Sequence, residues 1–80
     1  MNARVLVVDD ESGIRFSLRG ILEDEGHEVL EAETGEQGLE VLEAEDPDLI
    51  FLDIWLPGMD GLEVLVAVKS RREETPVGLV

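Results

Sequence analysis

The sequence predicts a single α/β domain built on a parallel sheet with helices on both faces. Apolar runs of about four residues, such as Val5-Leu6-Val7-Val8, lack polar alternation and are typical of strands buried on both sides. Segments with helical periodicity separate these runs, which gives the order β-α-β-α-β-α-β and favours a parallel sheet. The length of 80 residues suits one small domain, and right-handed crossovers restrict its topology to few choices.

The first strand is predicted at Val5–Val8, and a helix should follow from Ser12 to about Glu25. Ser12 is a favourable N-cap residue, and Gly26 is a favourable residue for ending the helix. Phe16 falls on the opposite side of the helix from its apolar stripe and is expected to be exposed or to contact a partner. The residues at helical spacing that should face the sheet are Ile14, Leu18, Ile21 and Leu22.

The second strand is predicted at Glu28–Ala32, centred on Val29 and Leu30. Thr34 and Gln37 have the spacing of a capping box and should open the second helix. Its inward residues are expected to be Leu39 and Leu42. Pro47 forbids continuation of this helix, because proline lacks the amide hydrogen that a helix interior needs.

The third strand is predicted at Leu49–Leu52, and Gly61 should begin the third helix. Residues 69–74 form the charged end of that helix, and Thr75-Pro76 breaks the pattern before a fourth strand at Val77–Val80. The residues of the third helix that are expected to face inward are Leu62, Leu65 and Val66.

The charge balance restricts the partners of the chain. Acidic residues number 20 and basic residues 6, for a net charge of −14. This charge disfavours direct binding to nucleic acid or anionic lipid, since both are polyanions, and it favours cations or a basic partner surface. The chain has no cysteine, and no apolar run is long enough for a signal sequence or a membrane span. A cytoplasmic location is therefore expected.

Three carboxylates follow the ends of two apolar strands: Asp9 and Asp10 after the first, and Asp53 after the third. Ligands of open parallel sheets bind at the carboxyl ends of the strands, so these side chains should converge if the two strands are neighbours. Two such charges about 5 Å apart repel by about 3 kcal/mol at an effective dielectric constant near 20. A divalent cation would relieve this repulsion, and ligands that are all oxygen favour Mg²⁺ or Mn²⁺.

A carboxylate beside such an ion can attack a phosphoryl group, which makes Asp53 a candidate nucleophile. Two alternatives remain at this point. The aspartates could simply begin turns and cap helices. The chain could also be a Mg²⁺-dependent phosphohydrolase, although the second aspartate of an Asp-x-Asp phosphatase is replaced by Trp55.

The runs "VLVVDDE", "DLIFLDIWLPGMDGLEVL" and "TPV" resemble, in register, the receiver domain of bacterial two-component response regulators. The resemblance implies a flavodoxin-like sheet with strand order 2-1-3-4. It implies that Asp53 is the phosphoacceptor for a sensor histidine kinase. It also implies a Mg²⁺ site in which Asp10 and Asp53 bind the ion, Asp9 holds it through water, and the backbone carbonyl of Trp55 is a further ligand.

The resemblance also concerns the parent protein. Receiver domains carry a Thr or Ser at the end of the fourth strand and a Lys at the end of a fifth, and residues 1–80 stop before both positions, so we expect an N-terminal fragment of the domain. The surroundings of Asp53, with Trp55 and Met59, are similar to regulators whose output domain activates sigma-54-dependent transcription. Exposure of the fourth strand and of one sheet face predicts a homo-oligomer, and a self-associating fragment without signalling competence is a further alternative.

Overall fold

The computed structural model describes residues 2–53 and 61–79, which form four strands and three helices in the predicted order. The strands are β1 (Arg4–Val8), β2 (Glu28–Ala32), β3 (Leu49–Leu52) and β4 (Val77–Leu79). The helices are α1 (Ser12–Asp24), α2 (Gly35–Glu45) and α3 (Gly61–Arg71). All strand pairings are parallel and the order is β2-β1-β3-β4, which confirms the predicted flavodoxin-like sheet.

The central strand β1 is buried on both faces, as its unbroken apolar run predicts. Leu6 and Val8 pack into a core with α2 and α3, whereas Val5 and Val7 pack on the opposite face with residues of α1. Each of these four side chains is only 1% exposed. Helix α1 therefore lies on one face of the sheet, and α2 and α3 lie on the other. Each face has its own apolar core, and β1 contributes to both.

Helix α1 is rotated about its axis relative to the prediction. Ile14 and Ile21 are 39% and 62% exposed, so the prediction that they face the sheet was wrong. Leu18 and Leu22 pack against the sheet as expected. The third position on this inward side is Arg15, which is 8% exposed. Its guanidinium donates to the carbonyl of Asp9, just after β1, and to Glu31, so the buried charge has partners on the sheet that Ile14 and Ile21 could not use.

The ends of α1 also differ in detail from the prediction. Ser12 is the first helical residue and not the cap, because Glu11 occupies the cap position and makes no side-chain capping bond. Instead, the amide of Glu11 donates to Asp9 Oδ1 at 2.9 Å, so a site carboxylate organises the turn that leads into the helix. Phe16 is 78% exposed, which confirms the expected exposure.

Helix α2 begins as the capping pattern predicts. Thr34 Oγ1 accepts a hydrogen bond from the amide of Gln37 at 3.1 Å, and Gln37 Oε1 accepts one from the amide of Glu33 at 2.8 Å. Leu42 is fully buried, and the helix ends at Glu45, before Pro47. Gly38 lets the helix approach β1 closely, because a Cβ there would lie 3.0 Å from Val8 Cγ2. Val8 directly precedes the first two aspartates.

Helix α3 packs against the sheet through Val64 and Val68, and Leu65 is partly buried against the same core. Leu62 and Val66 are 63% and 70% exposed, so their predicted inward orientation was wrong. The helix is apolar at most positions from 62 to 68, and periodicity alone therefore does not select one face.

Strand β4 lies at the edge of the sheet beside β3, and its Leu79 is 51% exposed. This position agrees with the predicted edge, whereas self-association through it stays a prediction. No helix in residues 2–53 or 61–79 has the length and apolar character that a membrane crossing requires.

Candidate functional site

The ends of β1 and β3 lie side by side at one edge of the sheet. Val8 is the register partner of Leu52 in the parallel pairing, so the residues that follow each strand are neighbours. The amide of Asp53 donates to the carbonyl of Val8 at 2.9 Å. The amide of Asp9 donates to the carbonyl of Ala32 at 3.0 Å, which extends the ladder on the other side. These bonds fix the backbone from which two of the carboxylates project.

The three aspartates form one cluster, as expected for neighbouring parallel strands. One carboxylate oxygen from each of Asp9, Asp10 and Asp53 lies within 4.8 Å of the other two. Asp9 is buried at 3% exposure, Asp53 is half-buried and Asp10 is exposed. The cluster thus runs from the protein interior to solvent, so a ligand can reach it from the Asp10 side.

The pKa of Asp9, the buried member of the cluster, is shifted by its surroundings. Burial raises the pKa of the Asp9 carboxyl above its ordinary value, and the carboxylates of Asp53 and Asp10 raise it further. The hydrogen bond from the Glu11 amide acts in the opposite direction and favours the charged form. A cation among the three oxygens would favour the charged form of Asp9.

The donor set fits Mg²⁺. All three side chains offer carboxylate oxygens, which are the ligands that hard divalent cations prefer. One oxygen of each lies within 4.8 Å of the other two, close enough to share one cation, and Mg²⁺ normally keeps several waters beside its protein ligands. Trp55, whose carbonyl is the fourth expected ligand, lies outside the described residues.

Arg15 is a residue of this site that the sequence analysis did not find. Its Nη1 donates to the backbone carbonyl of Asp9 at 2.5 Å, and its Nε donates to Glu31 Oε1 at 3.1 Å. The available signal was its spacing of three residues before Leu18 and seven before Leu22, which places it on their side of the helix.

Comparison with known proteins gives one family for nearly the whole chain. Residues 5–80 match the family described as the response regulator receiver domain. The sporulation initiation phosphotransferase F of Bacillus subtilis is 44% identical over 69 residues, which are 86% of this chain and 56% of that protein. The nitrogen assimilation regulatory protein NtrX of Azorhizobium caulinodans is 45% identical over 78 residues, or 95% of this chain and 17% of that protein.

Solved structures agree with these sequence matches. NtrX from Brucella abortus superimposes with a TM-score of 0.95 at 46% identity, covering 99% of this chain and 19% of that one. The chemotaxis response regulator CheY4 of Vibrio cholerae gives a TM-score of 0.94 at 34% identity, with 99% of this chain and 68% of that one covered. The chain therefore spans about a fifth of one of these proteins and about two thirds of the other.

Proposed function

The chain belongs to the response regulator receiver domain family, and from this we propose that it is a phosphoacceptor signalling module whose reactive group is Asp53. A sensor histidine kinase is the proposed donor of the phosphoryl group. The observation that carries the proposal is the convergence of Asp53 with Asp9 and Asp10 at the carboxyl ends of β1 and β3. Loss of the phosphoryl group by hydrolysis would return the domain to its resting state.

Asp53 is the proposed nucleophile because it combines partial exposure with a fixed backbone. Its amide donates to the Val8 carbonyl, and an oxygen of its half-buried carboxylate lies within 4.8 Å of one oxygen from each of Asp9 and Asp10. One Asp53 oxygen attacks the phosphorus of the kinase phosphohistidine, the phosphorus–nitrogen bond breaks, and the departing imidazole takes a proton from solvent. Attack of water on the same phosphorus later releases inorganic phosphate and restores the carboxylate.

The acidic cluster supports Mg²⁺ as the cofactor of this transfer. When bound, Mg²⁺ neutralises charge that develops on the transferring phosphoryl oxygens. We propose that Asp10 and Asp53 hold the ion directly, that Asp9 holds it through water, and that the backbone carbonyl of Trp55 is a further ligand. Asp9 also positions the loop, since its carboxylate accepts the Glu11 amide at 2.9 Å.

We propose that the output lies in another part of a longer regulator. The coverage of one relative supports this, because the chain matches only 17% of the Azorhizobium NtrX sequence. Control of transcription is the proposed output, and the net charge of −14 makes direct DNA contact by these 80 residues unfavourable. The cytoplasmic location, the sigma-54 assignment and homo-oligomer formation all remain predictions.

Phosphorylation by a small donor tests the proposal without knowledge of the kinase. Incubation of the purified protein with acetyl phosphate and Mg²⁺ should add the mass of one phosphoryl group, and removal of Mg²⁺ with a chelator should reduce the yield at least about tenfold. Intact-mass spectrometry measures both yields. Equal yields with and without Mg²⁺ would contradict the proposed metal role.

An assay of phosphatase turnover on the same purified protein distinguishes a signalling module from a phosphohydrolase. A phosphoacceptor domain should not turn over p-nitrophenyl phosphate, because the sequence supplies no second acid or base of the Asp-x-Asp type at position 55. Sustained release of p-nitrophenol over many turnovers, lost on removal of Mg²⁺, would favour the phosphohydrolase.

A further inference from the structure

The guanidinium of Arg15 is nearly buried, and all three of its nitrogens have partners. Nη1 donates to the backbone carbonyl of Asp9 at 2.5 Å, and Nε donates to Glu31 Oε1 at 3.1 Å. Nη2 lies 3.5 Å from Glu33 Oε1. Burying a cation is costly unless its hydrogen bonds are satisfied, and here two carboxylates of the β2 end and one main-chain oxygen share that task.

The main-chain oxygen that Arg15 contacts belongs to the peptide that joins Asp9 to Asp10. On the other side of Asp9, the amide hydrogen is bonded to the carbonyl of Ala32 at 3.0 Å. The backbone is therefore held both before and after the Asp9 side chain. Rotation of the Asp9–Asp10 peptide would redirect the two carboxylates, and the bond from Arg15 opposes that rotation.

We propose that Arg15 is a positioning residue of the cation site, which sets the direction of the Asp9 and Asp10 carboxylates by fixing the peptide between them. The inference rests on the proposed function, because it takes Mg²⁺ as the ligand of those carboxylates. Arg15 itself does not bind the ion. Glu31 and Glu33 complete the arrangement by holding the guanidinium in the orientation that reaches the Asp9 carbonyl.

The direction in which Mg²⁺ affinity changes on substitution of Arg15 distinguishes a positioning role from an effect of its charge. Arg15 is a cation close to a site for another cation, so removal of its charge alone would strengthen Mg²⁺ binding. Loss of positioning would weaken it, and substitution of residues that orient metal ligands typically costs ten- to a hundredfold in affinity. Lysine at this position would retain the charge but not the fork of donors that serves three partners at once.

Arg19 is a matched control on the same helix. It lies one turn after Arg15 and also pairs with Glu31, from its Nη1 to Oε2 at 2.6 Å. Its other partner is Glu23 at 3.2 Å, and its side chain is 47% exposed. Neither of these ion pairs involves a residue of the acidic cluster. Arg19→Ala therefore removes a nearby cation and a Glu31 partner, and it leaves the bond between Arg15 and Asp9 intact.

The test is a calorimetric Mg²⁺ titration of the purified protein and its variants, each checked for a cooperative thermal melt. Arg15→Ala should weaken Mg²⁺ binding by about ten- to a hundredfold. Arg15→Lys should bind with an affinity between those of Arg15→Ala and the unsubstituted protein. Arg19→Ala should stay within about twofold of the unsubstituted protein, as expected for exposed ion pairs.

Each outcome decides the question. Unchanged or tighter binding in Arg15→Ala would overturn the inference and leave the proposed function standing. If Arg15→Ala does not fold, Arg15→Lys decides, and binding equal to that of the unsubstituted protein would overturn the inference. Absence of Mg²⁺ binding in the unsubstituted protein would overturn the proposed function itself, which is a separate and recognisable result.

Discussion

Replacement of Asp53 with asparagine is expected to abolish phosphoryl transfer onto this domain while preserving its fold. Asparagine keeps the shape of the side chain but has no anionic oxygen to attack phosphorus. The substitution also removes one of three like charges within 4.8 Å, so the melting temperature in the absence of Mg²⁺ should not fall. Intact-mass spectrometry after incubation with acetyl phosphate and Mg²⁺ measures the loss of transfer.

The control for this variant is Asp24→Asn. Asp24 is the last residue of α1, is exposed, and lies at the opposite end of the helix from the acidic cluster. Its substitution removes the same charge from the protein and should leave the phosphoryl yield unchanged. A phosphorylated Asp53→Asn protein, at a yield near that of Asp24→Asn, would show that another residue is the acceptor.

The largest effect on stability is expected from Leu42→Ala. Leu42 is fully buried between α2 and the sheet, in the core that also contains Leu6, Ile50 and Val64. Truncation of a buried leucine to alanine typically costs 2–5 kcal/mol, and small domains have a total free energy of unfolding near the lower end of 5–15 kcal/mol. Urea denaturation should therefore show a much lower midpoint, or no cooperative transition.

Leu62→Ala provides the matched comparison, because it is the same substitution at an exposed leucine. Leu62 is 63% exposed on α3, so its truncation should change the free energy of unfolding by less than about 0.5 kcal/mol. The pair also tests the orientation of α3, in which Leu62 faces solvent and not the core as its sequence predicts. Comparable losses in the two variants would contradict the packing described for that helix.

The order of the elements could be predicted from sequence because its signals are local. Each strand is a short apolar run, and each is separated from the next by a helical segment that ends near Gly26, Pro47 or Thr75. The capping pair Thr34 and Gln37 marked the start of α2 within one residue. Alternation of strands and helices then led to the parallel sheet without knowledge of any contact.

The rotation of the helices could not be predicted in the same way. In α1 the more apolar face includes Ile14 and Ile21, yet the helix turns Arg15 inward, where it contacts the Asp9 carbonyl and Glu31. Those partners lie on other elements, so their positions are known only after the sheet has formed. In α3 the valines that face inward are distinguished from Leu62 and Val66 by packing against the sheet rather than by residue type.

The acidic cluster could be predicted because parallel strands bring their carboxyl ends to one edge. Adjacency of β1 and β3 was the single topological condition, and the strand order satisfies it. The positioning role inferred for Arg15 was not predicted, since an arginine in an amphipathic helix is ordinarily exposed. The expected carbonyl ligand at Trp55 lies outside the described residues and stays a prediction.

Chemical trapping tests most directly whether Asp53 is the residue that carries the phosphoryl group. Reduction of the acetyl phosphate-treated protein with borohydride converts an aspartyl phosphate to homoserine, which tandem mass spectrometry locates by residue. We expect homoserine at position 53 alone, at a yield at least about tenfold lower in samples without Mg²⁺. Homoserine at Asp9, Asp10 or any other carboxylate would contradict Asp53 as the acceptor, and an equal yield at position 53 without Mg²⁺ would contradict the proposed metal role.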